Sequence, residues 1–303
     1  MHGRAAALGA GTVLNALATE TGSAFGLDVE TRATVELDPN SDGVDGEIAE
    51  DPEAETALIE RCVELATERW GDGEGGTVRT ESDVPLAAGL KSSSAAANAT
   101  VLATCDALGA TVSGAHGETE EGMGADLDRL EACRLGVQAA RETGVAVTGA
   151  FDDATASMLG GLTVTDNAAD ELLDRGSVEW DVLVWTPPER SYSADADLDR
   201  CRNVAPMADL VADLALEGRY AEAMSVNGLA FSAALGFSPD PAVEAMPHVS
   251  GVSLSGTGPS VVAVADPGDP EADLDRVREL WSERSGTVRS TTTRNDGARI
   301  IAE

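Results

Sequence analysis

The sequence predicts an α+β protein, and three observations carry that reading. Segments with a two-residue apolar alternation and segments with a helical apolar period occur in the same chain. They do not follow one another in regular strand–helix–strand units, as a doubly wound parallel sheet would require. Hydrophobic residues make up 43% of the 303 residues, but aromatics only 3%, so the chain has material for a core, and that core is aliphatic.

The elements can be justified in order. From Asp28 to Leu37, Val29, Thr31, Ala33, Val35 and Leu37 alternate with Glu30, Arg32, Thr34 and Glu36, the pattern of a half-buried strand. Asp38 to Glu55 is the densest acidic stretch and reads as a solvated loop. Between Glu55 and Trp70, Leu58, Cys62, Leu65 and Ala66 fall on one helical face, and Gly71 ends it. Thr77 to Val84 reads as a strand entering a Gly-containing turn, and an Ala-rich helix from about Ser92 to Leu108 follows. A polar loop, Ser113 to Gly124, leads into an amphipathic helix through Leu127, Leu130, Cys133, Val137 and Ala140.

A second set begins after Gly160-Gly161, and the expected division lies around residues 160 to 175, giving units of 1–165 and 166–303. It comprises a strand near Trp180 to Trp185, helices from about Asp195 to Leu235, and strands at Val249 to Leu254 and Ser260 to Ala265. A helix from Pro270 to Arg284 and a strand from Thr287 to Thr293 complete it.

Charge and composition exclude several functions. With 54 acidic and 20 basic residues the formal charge is -34, which repels nucleic acid and anionic membrane surfaces. The acids are spread along the chain rather than gathered in one tail, which favours adaptation to concentrated salt over a dedicated acidic function. No run of about 18 apolar residues marks a membrane span, and Met1 to Leu8 lacks the apolar stretch of a signal peptide. Cys62, Cys105, Cys133 and Cys201 are far apart in apolar contexts, as expected of reduced, buried thiols in a cytoplasmic protein. His2, His116 and His248 have no metal-ligand spacing.

The chemistry concentrates in Pro85, Leu86, Ala87, Ala88, Gly89, Leu90, Lys91, Ser92, Ser93, Ser94 and Ala95. Three serines stand where a helix begins, and a helix start offers free backbone N–H groups and a positive dipole end to a phosphate. Lys91 is the only lysine among the 20 basic residues, so a point charge is kept at the position where an anion would bind. A simple helix cap would explain one serine and not three. The Gly-x-x-x-x-Gly-Lys-Ser spacing of a Walker loop is absent.

Pro85 to Ala97 resembles the second motif of the GHMP small-molecule kinases, and Ser253 to Ser260 with the apolar Val261 to Ala265 resembles their Gly-rich third motif. Ala7 to Asn15 and Gly22 to Asp28 stand where the first motif does. Together with Gly89 to Ser94 and Gly149 to Asp153, they are most similar to the archaeal type of shikimate kinase, and the resemblance spans nearly the whole chain. It implies a ribosomal-protein-S5-domain-2-like N-terminal domain, a ferredoxin-like C-terminal domain and a site between them. It also implies an ATP- and Mg²⁺-dependent kinase that phosphorylates the 3-hydroxyl of shikimate. The nearest alternative is the same kinase fold acting on homoserine or a mevalonate-type alcohol; the alternative from another class is a non-catalytic acidic interaction protein.

By the same resemblance, Gly256 and Gly258 close the nucleotide site, and Asn15 and Asp28 contact substrate hydroxyls. Glu142, eleven residues before Asp153, and Ser93 would hold Mg²⁺. Asp153, seven residues before Gly160, would be the catalytic base or a second metal ligand, with Asp152 as the competing carboxylate. Many members carry a lysine in the first motif; here that place falls at Ala10 or Gly11, which leaves Lys91 as the available cation. Shikimate bears a carboxylate, so one of the 19 arginines should pair with it.

Overall fold

A computed structural model describes residues 1–303 except 42, 86, 111, 114–126, 147–148, 192–195 and 303. Two antiparallel-dominated sheets organise it. The chain begins with β1 (His2–Leu14) and β2 (Thr21–Asp38), paired from His2↔Glu36 to Leu14↔Ser23. Then follow β3 (Val44–Ile48), α1 (Ala57–Trp70), β4 (Gly75–Ser82) and α2 (Ser92–Ala107). A short parallel pair, β5 (Val112–Ser113) and β6 (Leu127–Asp128), precedes α3 (Arg129–Glu142), α4 (Phe151–Leu159), β7 (Leu162–Asp166) and β8 (Glu171–Gly176). The first sheet runs β13-β1-β2-β4-β3, where β13 is Arg299–Ile300; β7 also pairs with β2, and β8 with β7.

The second sheet is built from β9 (Asp181–Thr186), β10 (Gly251–Leu254), β11 (Val261–Ala265) and β12 (Thr287–Thr292), in the order β10-β11-β9-β12. Between β9 and β10 lie α5 (Leu198–Arg202), α6 (Ala205–Leu216), α7 (Tyr220–Leu235) and α8 (Asp240–Ala245); α9 (Leu274–Ser282) lies between β11 and β12. The first strand therefore sits between the third and the fourth, the split arrangement of a ferredoxin-like sheet. No helix among the described residues is long and apolar enough to cross a membrane.

Two aliphatic cores result. One packs α1 to α4 on the first sheet through Val35, Val63, Leu102 and Met158; the other packs the second sheet against Val211, Phe231 and Trp281 and reaches into the first through Phe25 and Leu27. Phe25 of β2 meets Trp180, just before β9, edge-on, with ring centroids 5.3 Å apart, so an aromatic pair within the second core links the two sheets. All four cysteines are free and buried.

The structure corrects several expectations. The acidic stretch is not all loop: Val44–Ile48 forms β3, a parallel strand at the edge of the sheet, whose Asp45 and Glu47 point to solvent. Charged side chains on an edge strand discourage pairing with other chains, and they also hide the strand from a hydrophobicity reading. β1 is rich in Ala and Gly, poor strand formers, but is buried on both faces, so packing overrides propensity. The helices expected over 195–235 are present as α5, α6 and α7, with Gly218 separating the last two. In the region of the expected division, around residues 160 to 175, β7 pairs with β2 and β8 with β7. Most of the expected polar loop at 113–124, with His116, lies outside the described residues.

Phe25→Ala should lower the stability of the folded chain by about 3–5 kcal/mol, because it removes a fully buried ring from the core that spans the two sheets. Urea unfolding in molar salt measures it; an unchanged midpoint would show that the aromatic pair does not hold the two halves together.

Candidate active site

Three segments distant in sequence meet at one place. The turn before α2 packs against the Gly-rich turn between β10 and β11: the Ser255 hydroxyl donates to the Gly89 carbonyl at 2.9 Å, and the Ser260 N–H to the Ala88 carbonyl. The end of β1 completes the junction. Gly256 N–H donates to Thr12 Oγ1 at 2.8 Å, Asn15 Nδ2 donates to the Gly256 carbonyl at 2.7 Å, and Ala10 N–H donates to the Leu90 carbonyl. The approach is close enough to demand glycine twice. A Cβ on Gly89, at φ +80°, would lie 2.2 Å from the Ser255 carbonyl oxygen, and one on Gly256 would lie 2.8 Å from Lys91 Nζ.

Beside this junction is a cavity of about 760 Å³. Two helix N-termini point into it. α2 contributes Lys91, Ser92 and Ser93, and α4 contributes Ala150, Asp152 and Asp153. The first-turn amides of each helix have no intrahelical acceptor, so both ends favour negative charge. The residues capping α2 and α4, Lys91 and Ala150, are left-handed, as is Ala87, and all three line the cavity. Such conformations cost of order 1–3 kcal/mol each and persist where the surroundings enforce them.

Lys91 Nζ stands 2.6 Å from Asp153 Oδ1, with the lysine side chain 7% exposed. Burial and the neighbouring Asp152 push the Asp153 carboxyl up to about 7, while Lys91 opposes the rise. The absence of a first-motif lysine has a steric cause. Ala10 is fully buried against Ala24 and Ala156, and a Cβ at Gly11 would lie 2.5 Å from the Phe25 ring. The cation at the carboxylate comes from α2 instead.

Of the other residues singled out from the sequence, Ala87, Gly89, Lys91, Ser92, Ser93, Gly256 and Asn15 line the cavity. Ala88, Leu90, Ser94 and Ala95 are buried behind the wall, and Leu86 lies outside the described residues. Asn15 is committed elsewhere: its Oδ1 accepts from the Leu17 N–H and its Nδ2 holds Gly256, so it fastens the junction. Gly258 packs against Phe237.

Two residues are not brought to the cavity. Glu142 is exposed and held by Arg61 at 2.6 Å and by Gln138 at 2.8 Å. Asp28 is also exposed and pairs with Arg294 at 3.4 Å. Spacing along the chain could not reveal that both carboxylates have arginine partners on the surface.

Sequence reasoning missed other lining residues. Glu50, Asp51, Glu53 and Glu55 put the acidic stretch along one side, and Leu58 and Ile59 of α1 add an apolar wall. Arg190 is the one arginine lining the cavity among the described residues, and Ser191 N–H fastens its segment to the Ala87 carbonyl. None of these lies in a recognisable motif; a basic residue beside Pro187-Pro188 was the only available hint.

Comparison with known proteins gives the family and the fold. The sequence profile described as GHMP kinases N terminal domain matches residues 57–161. Shikimate kinase of Halobacterium salinarum is 61% identical over 299 residues, covering 99% of each chain. Shikimate kinase of Methanococcoides burtonii is 47% identical and covers 97% of each. Among solved structures, homoserine kinase from Cytophaga hutchinsonii has the same fold at a TM-score of 0.72 and 16% identity, covering 99% of this chain and 97% of its own. Methanococcus jannaschii mevalonate kinase superposes at 0.71 with 12% identity, covering 97% of this chain and 98% of its own. With relatives this similar over its whole length, and with the three motifs converging on one cavity, the chain belongs to the shikimate kinase family of the GHMP kinases.

Proposed function

We propose that the protein transfers the γ-phosphoryl group of ATP to the 3-hydroxyl of shikimate in the cytoplasm. The Lys91–Asp153 pair beside the start of α2 carries this reading, because it places a base and an anion site in one cavity. The phosphates would lie on the first-turn amides and hydroxyls of Ser92 and Ser93. The apolar wall of Ile48, Leu58, Ile59 and Ala96 suits a flat base. Asp153 would accept the proton of the attacking hydroxyl as the new oxygen–phosphorus bond forms, and Lys91 would offset the charge on the transferring group. Arg190, which lines the cavity, would pair with the substrate carboxylate.

Mg²⁺ suits this arrangement as a companion of the nucleotide. No group of three His, Cys, Asp or Glu side chains among the described residues forms a cage, whereas Ser93 lines the cavity at the start of α2. Mg²⁺ keeps waters and substrate phosphates as ligands, so one protein hydroxyl and few further contacts suffice. When bound it would neutralise phosphate charge. Glu142 would first have to leave Arg61. The dispersed acidity supports work in concentrated salt, where self-repulsion is screened.

ADP release measured in molar salt should depend on shikimate and not on homoserine or mevalonate; the reverse dependence would sink the substrate assignment. Because Asp153 must be ionised to take a proton, kcat/KM should fall as pH drops through about 7. Lys91 holds that carboxyl down, so Lys91→Ala should move the fall to higher pH, while Asp153→Asn should abolish it and cut kcat by about 10²–10⁴-fold. A pH profile identical in all three proteins would remove Asp153 from the base role. Ser93→Ala should raise KM for ATP without changing the circular dichroism spectrum. Unaltered ATP kinetics would leave the serines as a helix cap.

A further inference from the structure

Asp152 raises a question that the base and the phosphate cradle do not answer. It lines the cavity at 4% exposure, and among the described residues no cation pairs with it, since Lys91 faces Asp153. A buried carboxylate needs donors. The donor is Asn167, which follows β7 and is 1% exposed. Its Nδ2 donates to Asp152 Oδ1 at 2.7 Å, and its Oδ1 accepts the backbone N–H of the same Asp152 at 3.1 Å. A carboxylate oxygen only accepts and a backbone N–H only donates, so the amide can face only one way.

Two further contacts fix that amide. Thr165 Oγ1 donates to Asn167 Oδ1 at 2.8 Å, and the Asn167 backbone N–H donates to the Glu20 carbonyl at 2.8 Å. Gly22 of β2 also abuts Asp152: a Cβ there would lie 2.5 Å from the Asp152 carboxylate carbon. Asp152 is thus confined between β2 and a side chain that grips both its backbone and its carboxylate. Asp152 and Asp153 share the first turn of α4, so whatever fixes the one orients the other.

We infer that Asn167 is a positioning residue for phosphoryl transfer, holding Asp152 and the first turn of α4 so that Asp153 stays against Lys91. The inference rests on the kinase reading above. Among the described residues no hydrogen bond joins Asn167 to α2 or to Arg190, so substrate binding should not depend on it, whereas displacement of a reacting group by about 1 Å can cost on the order of 10²-fold in rate.

The test is steady-state kinetics of the full chain in molar salt. Asn167→Ala should lower kcat by about 10–100-fold with KM for ATP and for shikimate within about threefold. Thr165→Val, which removes only the hydroxyl that orients the amide, should lower kcat in the same direction by less, and Thr165→Ser should restore it. If Asn167→Ala does not fold, the Thr165 pair carries the comparison. Unchanged kcat, KM values that rise together with a falling kcat, or a Thr165→Ser enzyme as impaired as Thr165→Val would each overturn the role of Asn167. Absence of wild-type turnover with every alcohol would overturn the kinase reading itself, a result distinguishable from active wild type with unaffected variants.

Discussion

The ion pair between Lys91 and Asp153 is the constraint around which the site is arranged. Taking both charges out of water costs several kcal/mol per ion, and a buried pair returns that only with good geometry and added hydrogen bonds. Two helix starts, two glycines that allow backbone contact and a left-handed lysine all serve to bring the partners to 2.6 Å. An aliphatic pair of similar volume would fold as readily. Its retention in a chain of formal charge -34 is therefore better explained by reactivity than by stability.

The same constraint accounts for the crowding of small residues around the cavity. Gly11 presses on Phe25, Gly22 on Asp152, and Ala10 on Ala24 and Ala156, leaving no room for a cation on β1. The lysine that reaches the carboxylate stands instead at the start of α2.

The fold class was legible because alternation in β2 and helical periods in α1 and α3 survive in an aliphatic, Ala-rich composition. β1 and β3 were not, since one is made of poor strand formers and the other wears acidic residues at an edge. At the site, Lys91 and Ser93 were readable from a single local motif, because a helix start is a local feature. Asp153 was singled out by the resemblance and by its place seven residues before Gly160. Glu142 and Asp28 have the right residue type, but Arg61 and Arg294, which occupy them, approach from 81 and 266 residues away. Asn167 was invisible for the same reason: its importance lies in a contact across 15 residues that no periodicity records.

The pairing of β13 with β1 has a consequence for biogenesis. Arg299 and Arg294, near the end of the chain, both reach Glu30 in β2, and residues 299–300 cover the outer edge of β1. During translation the amino-terminal half emerges first, with the β1 edge bare and a nearly buried glutamate without its cations. An uncovered strand edge is a template for pairing with other chains. The two halves therefore share a core and are also coupled in timing: β1 waits for the later-made β13 to be shielded.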